Sequence, residues 1–235
     1  MDLSLLIPAY NEHARILQTV DSVGSFLATR SWTHEILVVD DGSSDGTADI
    51  VEQGMLARPG LRCIRQRRNR GKGAAIHHGL ASAKGQVVGF IDADDKTEIN
   101  ALDEVFRQLQ SGADIVIGDR TLAGSEIAVA RRPHRQWGSD QFRRLLAWWM
   151  KLGDFPDTQC GFKFFRAEVM RELFARMRID GYMFDVELLV LATQSGKSVV
   201  RVPVQWRDDP DSRFNPIFGS LRNLRELARI RRLHR

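Results

Sequence analysis

Cysteine is scarce: the 235 residues hold only Cys63 and Cys160, with no CxxC and no Cys/His spacing. That shortage excludes a disulfide scaffold, argues against a zinc site and suits a reducing compartment. Long apolar runs are lacking too. The longest purely apolar stretch, Leu145 to Met150, falls far short of the roughly 18 residues that a membrane span requires. The N-terminus carries Asp2 and no basic region, so its short apolar run LSLLI reads as a first strand rather than a signal peptide. Neither a GxGxxG fingerprint nor a Walker A spacing occurs. No internal repeat, low-complexity tract or linker divides the chain.

What is present is ordinary in bulk and uneven in detail. A hydrophobic content of 43% with 27% charged residues supports a sizeable core, in one large domain or a tight pair. The formal +4 conceals a division. Residues 213–235 hold seven arginines and one glutamate, a net +6, and residues 120–151 hold seven basic and two acidic residues, a net +5. The remainder is therefore acidic, at −7. Basic segments of this kind face an anionic partner or form a solvated face.

Short apolar runs predict strands at Leu3–Ile7, Glu35–Val39, Leu61–Arg65, Val87–Ile91 and Asp114–Ile117, with helices near 12–27, 45–56, 72–83 and 98–110. Continuous apolar strands alternating with helices indicate an α/β fold whose mostly parallel sheet is covered on both faces. Such sheets bind ligands beyond the carboxyl ends of their strands, so chemistry should cluster there. It does: PAYNE, DDGSSDGT, NRGKG and DADD each follow a predicted strand. Later, 138–152 reads as an amphipathic helix with Phe142, Leu145, Leu146 and Trp149 on its apolar stripe and Trp148 and Met150 outside it. Another helix is expected at 184–195, and Val199–Gln205 reads as a strand that Pro203 consigns to an edge. In the tail Arg222, Arg225, Arg229 and Arg232 share one helical face beside a stripe of Leu221, Leu224, Leu227 and Ile230.

Asp92-Ala93-Asp94, directly after VVGFI, offers hard oxygen donors of the kind that hold Mg²⁺ beside substrate phosphates. Asp40 and Asp41 end EILVV, where they can accept from a ribose hydroxyl or a base N–H; Asp41 also starts a turn, with Ser43 or Ser44 placed to cap the helix near Asp45. Asn69 to Ala74 opens a helix whose free N–H groups attract phosphate. Lys72 there adds a point charge for a diphosphate or lies against the acidic cluster. His77 and His78 read as plain helix residues, and Cys160 as a packed thiol.

PAYNE, VVDDGSSDGT, NRGKGAA and FIDADD, in this order and spacing, resemble the family 2 glycosyltransferases. GDR at 118–120, DTQCGFKFF at 157–165 and FDVELL at 184–189 are similar to the polyprenyl-phosphate branch, above all to its glucosyl-transferring members. The likeness covers roughly residues 3–213. It implies a GT-A fold, a catalytic domain over 1–212 followed by a basic amphipathic helix at 213–235, a nucleotide-sugar donor with UDP-glucose foremost, Mg²⁺ or Mn²⁺, and inversion at the anomeric carbon. It further implies that Pro8, Tyr10, Glu12, Asp40 and Asp41 hold the nucleoside, with Lys72 on the base or ribose side. Asp92 and Asp94 engage metal and diphosphate, and Arg120 with Arg131 or Arg132 receives the acceptor phosphate. Asp157 and Gln159 contact the sugar, while Asp185 and Glu187 shape the acceptor side.

A polyprenyl phosphate acceptor changes the catalytic problem, because a phosphate monoester is largely dianionic at neutral pH, its second pKa lying near ~6. No strong general base is then required, and the task is to bring two anions together. Transfer from GDP-mannose or to another acceptor is the alternative within the class. A basic nucleic-acid-binding protein is the distant one; without a recognised module beside the arginines, no nucleic acid partner is expected. With no span and a basic tail, reversible attachment to the cytoplasmic face of an anionic membrane is expected.

Overall fold

The computed structural model describes residues 1–125, 146, 148–207 and 216–234, with 216–220 described by backbone alone. Its framework is a seven-stranded sheet ordered β3-β2-β1-β4-β6-β5-β7. β1 (Leu3–Ala9) is buried at every position but Pro8, as a strand covered on both faces must be. β2 (His34–Asp40) and β4 (Val87–Ile91) flank it in parallel, and β3 (Leu61–Arg65) extends the sheet from β2. β5 (Ile115–Asp119) pairs in parallel with β7 (Val199–Pro203), which lies at the sheet edge as Pro203 predicts.

One strand was not legible as such. β6 (Phe162–Arg166) runs antiparallel between β4 and β5, placing Phe90 opposite Lys163 and Ile91 opposite Phe162. It joins the two parallel groups through the middle of the sheet.

Helices α1 (Ile16–Ala28), α2 (Thr47–Met55) and α3 (Lys72–Leu80) connect the first four strands, and α4 (Leu102–Gln110) follows a single 3₁₀ turn, Ile99–Ala101. α5 (Ala167–Arg176) and α6 (Phe184–Gln194) follow β6. Leu5, Ile7, Val38, Val116 and Phe164 meet α1 and α4 on one face of the sheet, while Leu6, Phe90, Ile117 and Phe165 meet α3, α5 and α6 on the other. Neither serine caps α2 as expected. Ser43 Oγ instead accepts from Asn11 N–H at 2.9 Å, and Asp45 Oδ1 accepts from Thr47 N–H at 3.0 Å. The serine is drawn toward β1's loop, so the turn before α2 closes on Asp45.

The last helix, α7 (Pro216–Leu233), divides the leucine stripe read from the sequence. Leu227 and Ile230 are fully buried in the core beside α6, whereas Leu221, Leu224 and Leu233 stay exposed. Burying a leucine-sized side chain is worth about 1.5–3 kcal/mol, so these two residues weld α7 to the body. Of the helix expected at 138–152, Phe142 and Leu145 lie outside the described residues. Met150 joins Leu146 in the core rather than leaving the apolar face, because the pair stands one helical turn apart, and Trp148 is exposed as expected.

Candidate active site

The loops after β1, β2 and β4 converge where the strand order reverses, with β2 on one side of β1 and β4 on the other. A cleft of about 310 Å³ opens there, lined by Pro8, Tyr10, Glu12, Asp41, Asn69, Gly71, Lys72, Asp92 and Asp94 among others. An open α/β sheet places its ligand crevice at such a switch point.

Asp41 reaches this cleft with both oxygens already engaged. They accept from Arg70 N–H at 2.9 Å and Gly71 N–H at 2.8 Å, which ties the loop before α3 to the end of β2. Burial raises its pKa, and these two bonds oppose the rise. Asp40 Oδ2 accepts from Ser43 N–H at 3.2 Å, and its buried Oδ1 has no partner among the described residues. Gly71 sits at φ +112°, and a methyl group there would overlap the Asp180 carbonyl. Only glycine takes that backbone easily, so α3 can start directly against the 180–183 segment. Glu12 holds Arg15 at 2.5 Å, and Tyr10 stands half exposed at the rim.

Lys72 lies against the acidic cluster, one of the two placements its position offered, and lines the same cleft as Pro8, Tyr10 and Asp41. Its Nζ donates to Asp92 Oδ1 at 2.6 Å and lies 5.6 Å from the ring centres of both Phe90 and Phe184. Burial alone would lift Asp92, but Lys72, and more weakly Lys163 and Arg120, hold its carboxyl below the usual range. Asp92 is therefore ionised, and its carboxylate packs closely against Gly161. Asp94 sits beside it, 3.3 Å from Lys96. These two carboxylates, with no group of three or more His, Cys, Asp or Glu side chains gathered among the described residues, form an incomplete shell of hard oxygens. That is the donor set Mg²⁺ or Mn²⁺ uses when diphosphate oxygens complete the coordination.

Beyond the cleft, Arg120 presents its fork to Asp157. Nε donates to Oδ2 and Nη2 to Oδ1, each at 2.7 Å, and the Arg120 backbone N–H adds a third bond at 3.0 Å. Burial pushes Asp157 up, Arg120 pulls it further down, and the pair stays charged. Arg120 also lies 5.3 Å from the Trp206 ring centre, a contact with no sequence signal. Arg131 and Arg132 lie outside the described residues.

Asp185 and Glu187 are both buried and face different partners. Asp185 Oδ1 is 2.8 Å from Lys163 Nζ. Glu187 accepts from the N–H groups of Arg178 and Ile179 and meets His234, just past the end of α7, at 2.7 Å. Neither is solvated, because two successive backbone N–H groups and a lysine claim them. Gln159 makes a weak contact with Met183 Sδ at 3.7 Å. Tyr182, within the field of Lys72, Asp92, Asp185 and Arg120, was missed by sequence reasoning, as was Lys163. His77 packs near Phe174, and Cys160 is buried with its thiol raised to about 12 by desolvation.

The glycosyl transferase family 2 model matches residues 4–174, the part of the chain that builds the cleft and β6. The chain belongs to that family. Its family 2 sequence is 36% identical over 97% of the chain to a dolichyl-phosphate beta-glucosyltransferase of Trichomonas vaginalis, covering 70% of that protein. It is 32% identical, again over 97%, to the Dictyostelium discoideum dolichyl-phosphate beta-glucosyltransferase, covering 73%. In structure it resembles the Mycobacterium tuberculosis glucosyl-3-phosphoglycerate synthase crystallised with Mn²⁺, UDP and phosphoglyceric acid, at TM-score 0.72 and 23% identity over 97% of this chain and 76% of that one. The fold is thus the GT-A fold expected for a family 2 glycosyltransferase.

Proposed function

We propose that this glycosyltransferase moves glucose from UDP-glucose to a polyprenyl phosphate of the dolichyl type, with inversion at the anomeric carbon. The observation that carries this reading is the likeness to dolichyl-phosphate beta-glucosyltransferases along 97% of the chain. The cleft supports the chemistry. The strand-end loops around Pro8 to Glu12 and Asp41 offer the nucleoside side, whereas Asp40, buried behind them, is not among the cleft's lining residues. Asp92 and Asp94 would hold a divalent cation, which supplies charge stabilisation to the departing diphosphate. Lys72 adds a fixed positive charge to the same end of the site.

The acceptor phosphate arrives as its own nucleophile. Asp157 is ionised but both its oxygens are committed to Arg120, so its role is to orient that guanidinium rather than to take a proton. Arg120 then meets the acceptor with its outer N–H groups, and Arg131 and Arg132 belong to the same basic segment. Gln159, with its weak protein contact, is the side chain in this group most available to a sugar hydroxyl.

Residues 1–212 form the catalytic unit in this reading, and α7, within the basic segment 213–235, both completes the core and meets the membrane. Leu221, Leu224 and Leu233 are exposed beside Arg225, Arg229 and Arg232. Trp149, which neighbours the exposed Trp148, lies 5.9 Å from Arg231, so the tryptophan pair extends the same surface. Amphipathic surfaces of this kind dwell at the headgroup level, each basic residue contributing about 1 kcal/mol at an anionic leaflet. No helix among the described residues is long and apolar enough to cross a membrane, and attachment to the cytoplasmic face is peripheral.

The test is a donor screen: UDP-glucose, UDP-galactose, UDP-N-acetylglucosamine and GDP-mannose, each with a short polyprenyl phosphate and Mg²⁺ or Mn²⁺. Glucosyl lipid from UDP-glucose is the expected product. A mannosyl product from GDP-mannose would reassign the donor, and no lipid-linked product from any donor would overturn the reading. Because α7 is part of the core, the membrane contact is tested with Leu221→Ser/Leu224→Ser rather than by truncation.

A further inference from the structure

Lys163 has no part in the chemistry above, yet it is wholly buried in the middle strand of the sheet, among the largest fully buried side chains of the protein. Burying an ammonium costs several kcal/mol unless it is well paired, and an apolar residue would fill this position of β6 without that cost. Its partners explain its retention. Nζ donates to the Cys160 carbonyl at 2.6 Å and lies 2.8 Å from Asp185 Oδ1, in the first turn of α6. The ring of Phe90 lies 5.7 Å from Lys163 Nζ and 5.6 Å from Lys72 Nζ, so the same aromatic ring borders both ammonium groups.

The Cys160 carbonyl belongs to the turn that touches Asp92. Gly161, the next residue, accepts from the Asp92 N–H at 3.1 Å. A methyl group on Gly161 would overlap the Asp92 carboxylate, so the two meet at the closest approach a backbone allows. The register continues this contact: Ile91 pairs with Phe162, and Asp92 and Gly161 are the next residues along. The ammonium therefore fastens two elements at once, the turn that abuts Asp92 and the start of the helix that abuts Lys72 through Phe184.

We propose that Lys163 is a positioning residue: by clamping the Cys160–Gly161 turn to the Asp185 end of α6, it holds the Asp92 carboxylate where a divalent cation and the donor diphosphate meet it. This rests on the assignment of Asp92 made above. Groups that support a metal-binding side chain from behind typically change affinity by 10–100-fold when removed.

The experiment compares Lys163→Met/Asp185→Asn, which removes both buried charges together, with Gly161→Ala, which alters the turn and leaves the charges in place. Calorimetry measures UDP binding with Mn²⁺ and again in EDTA, and thermal unfolding is recorded for each protein. Both variants are expected to weaken Mn²⁺-dependent UDP binding by about tenfold or more and to leave binding in EDTA within about twofold. In turnover, KM for UDP-glucose should rise while KM for the polyprenyl phosphate holds. Unchanged Mn²⁺-dependent affinity in the Gly161→Ala protein, or equal losses with and without metal, would overturn the proposal. Asp92→Asn run in parallel separates the two levels: if it keeps full Mn²⁺-dependent affinity, the assignment of Asp92 fails. If it loses that affinity while the Lys163 and Gly161 variants do not, only the positioning role fails.

Discussion

The cleft side of the sheet and its far side are built on different plans. Around β1, β2 and β4 the loops that follow the strands supply the side chains directly, and backbone N–H groups anchor them, as Asp41 is anchored by Arg70 and Gly71. Around β5, β6 and α6 every such charged group also meets an oppositely charged or ionisable side chain far away in sequence, whatever backbone contacts it keeps: Arg120 with Asp157, Lys163 with Asp185, Glu187 with His234. The first plan suits a rigid nucleotide held at strand ends. The second creates a pre-assembled set of charges for an anionic acceptor, and it depends on every partner being present.

That contrast is broken most severely by removing one partner of a pair. Arg120→Ala leaves Asp157, 2% exposed, without its fork, and should cost about 3–5 kcal/mol of stability in a denaturant titration. On the cleft side Asp92→Asn should cost less stability than Arg120→Ala, because its pair with Lys72 is partly exposed, but lower glucosyl-lipid formation by roughly 10²–10³-fold, the loss seen when one preorganised electrostatic contact is removed. Leu227→Ala should cost about 2.5 kcal/mol, the lower part of the range for a buried leucine, and marks α7 as core. A milder contrast comes from acid. Asp92 and Asp157 have depressed pKa values, so their ionised forms add stability that is complete above the ordinary carboxylate range and is lost as pH falls through their lowered values. Unfolding midpoints taken between pH 5 and pH 2.5 should fall more gently for Asp157→Asn than for the wild-type protein. The smallest effect belongs to Leu224→Ala, 40% exposed: stability should change by no more than about 0.5 kcal/mol, while flotation with anionic liposomes weakens. A stability loss matching that of Leu227→Ala would erase the division of α7 into a core face and a membrane face.

How much was legible follows the same divide. Six of the seven strands, and the four polar loops that follow the first four, could be read from apolar runs and their ends, because such a run is a local pattern. β6 could not, since Lys163 interrupts its apolar run and its antiparallel direction is imposed by pairing with β4 and β5, whose partners lie about 50 to 75 residues away. Asp41 was legible as a cleft residue, but the engagement of both its oxygens by the next loop was not. Glu187 stands two residues from Asp185, a spacing that turns the two different ways on a helix, and nothing local in the sequence shows that both are buried. The leucine stripe of α7 had the right period for a helix face, yet period alone does not say whether water, lipid or the core covers each leucine.

The sequence by itself determined the strand-and-helix alternation, the chemistry beyond the strand ends and the split of charge between an acidic body and two basic segments. Each is a property of neighbouring residues and of backbone geometry. Tertiary structure alone decided that Lys72 faces Asp92, that Arg120 is already gripped by Asp157, and that a buried lysine stands behind the cleft. Charge pairing inside a core is set by which elements are brought within a few ångströms of one another, where low dielectric makes a missing partner costly.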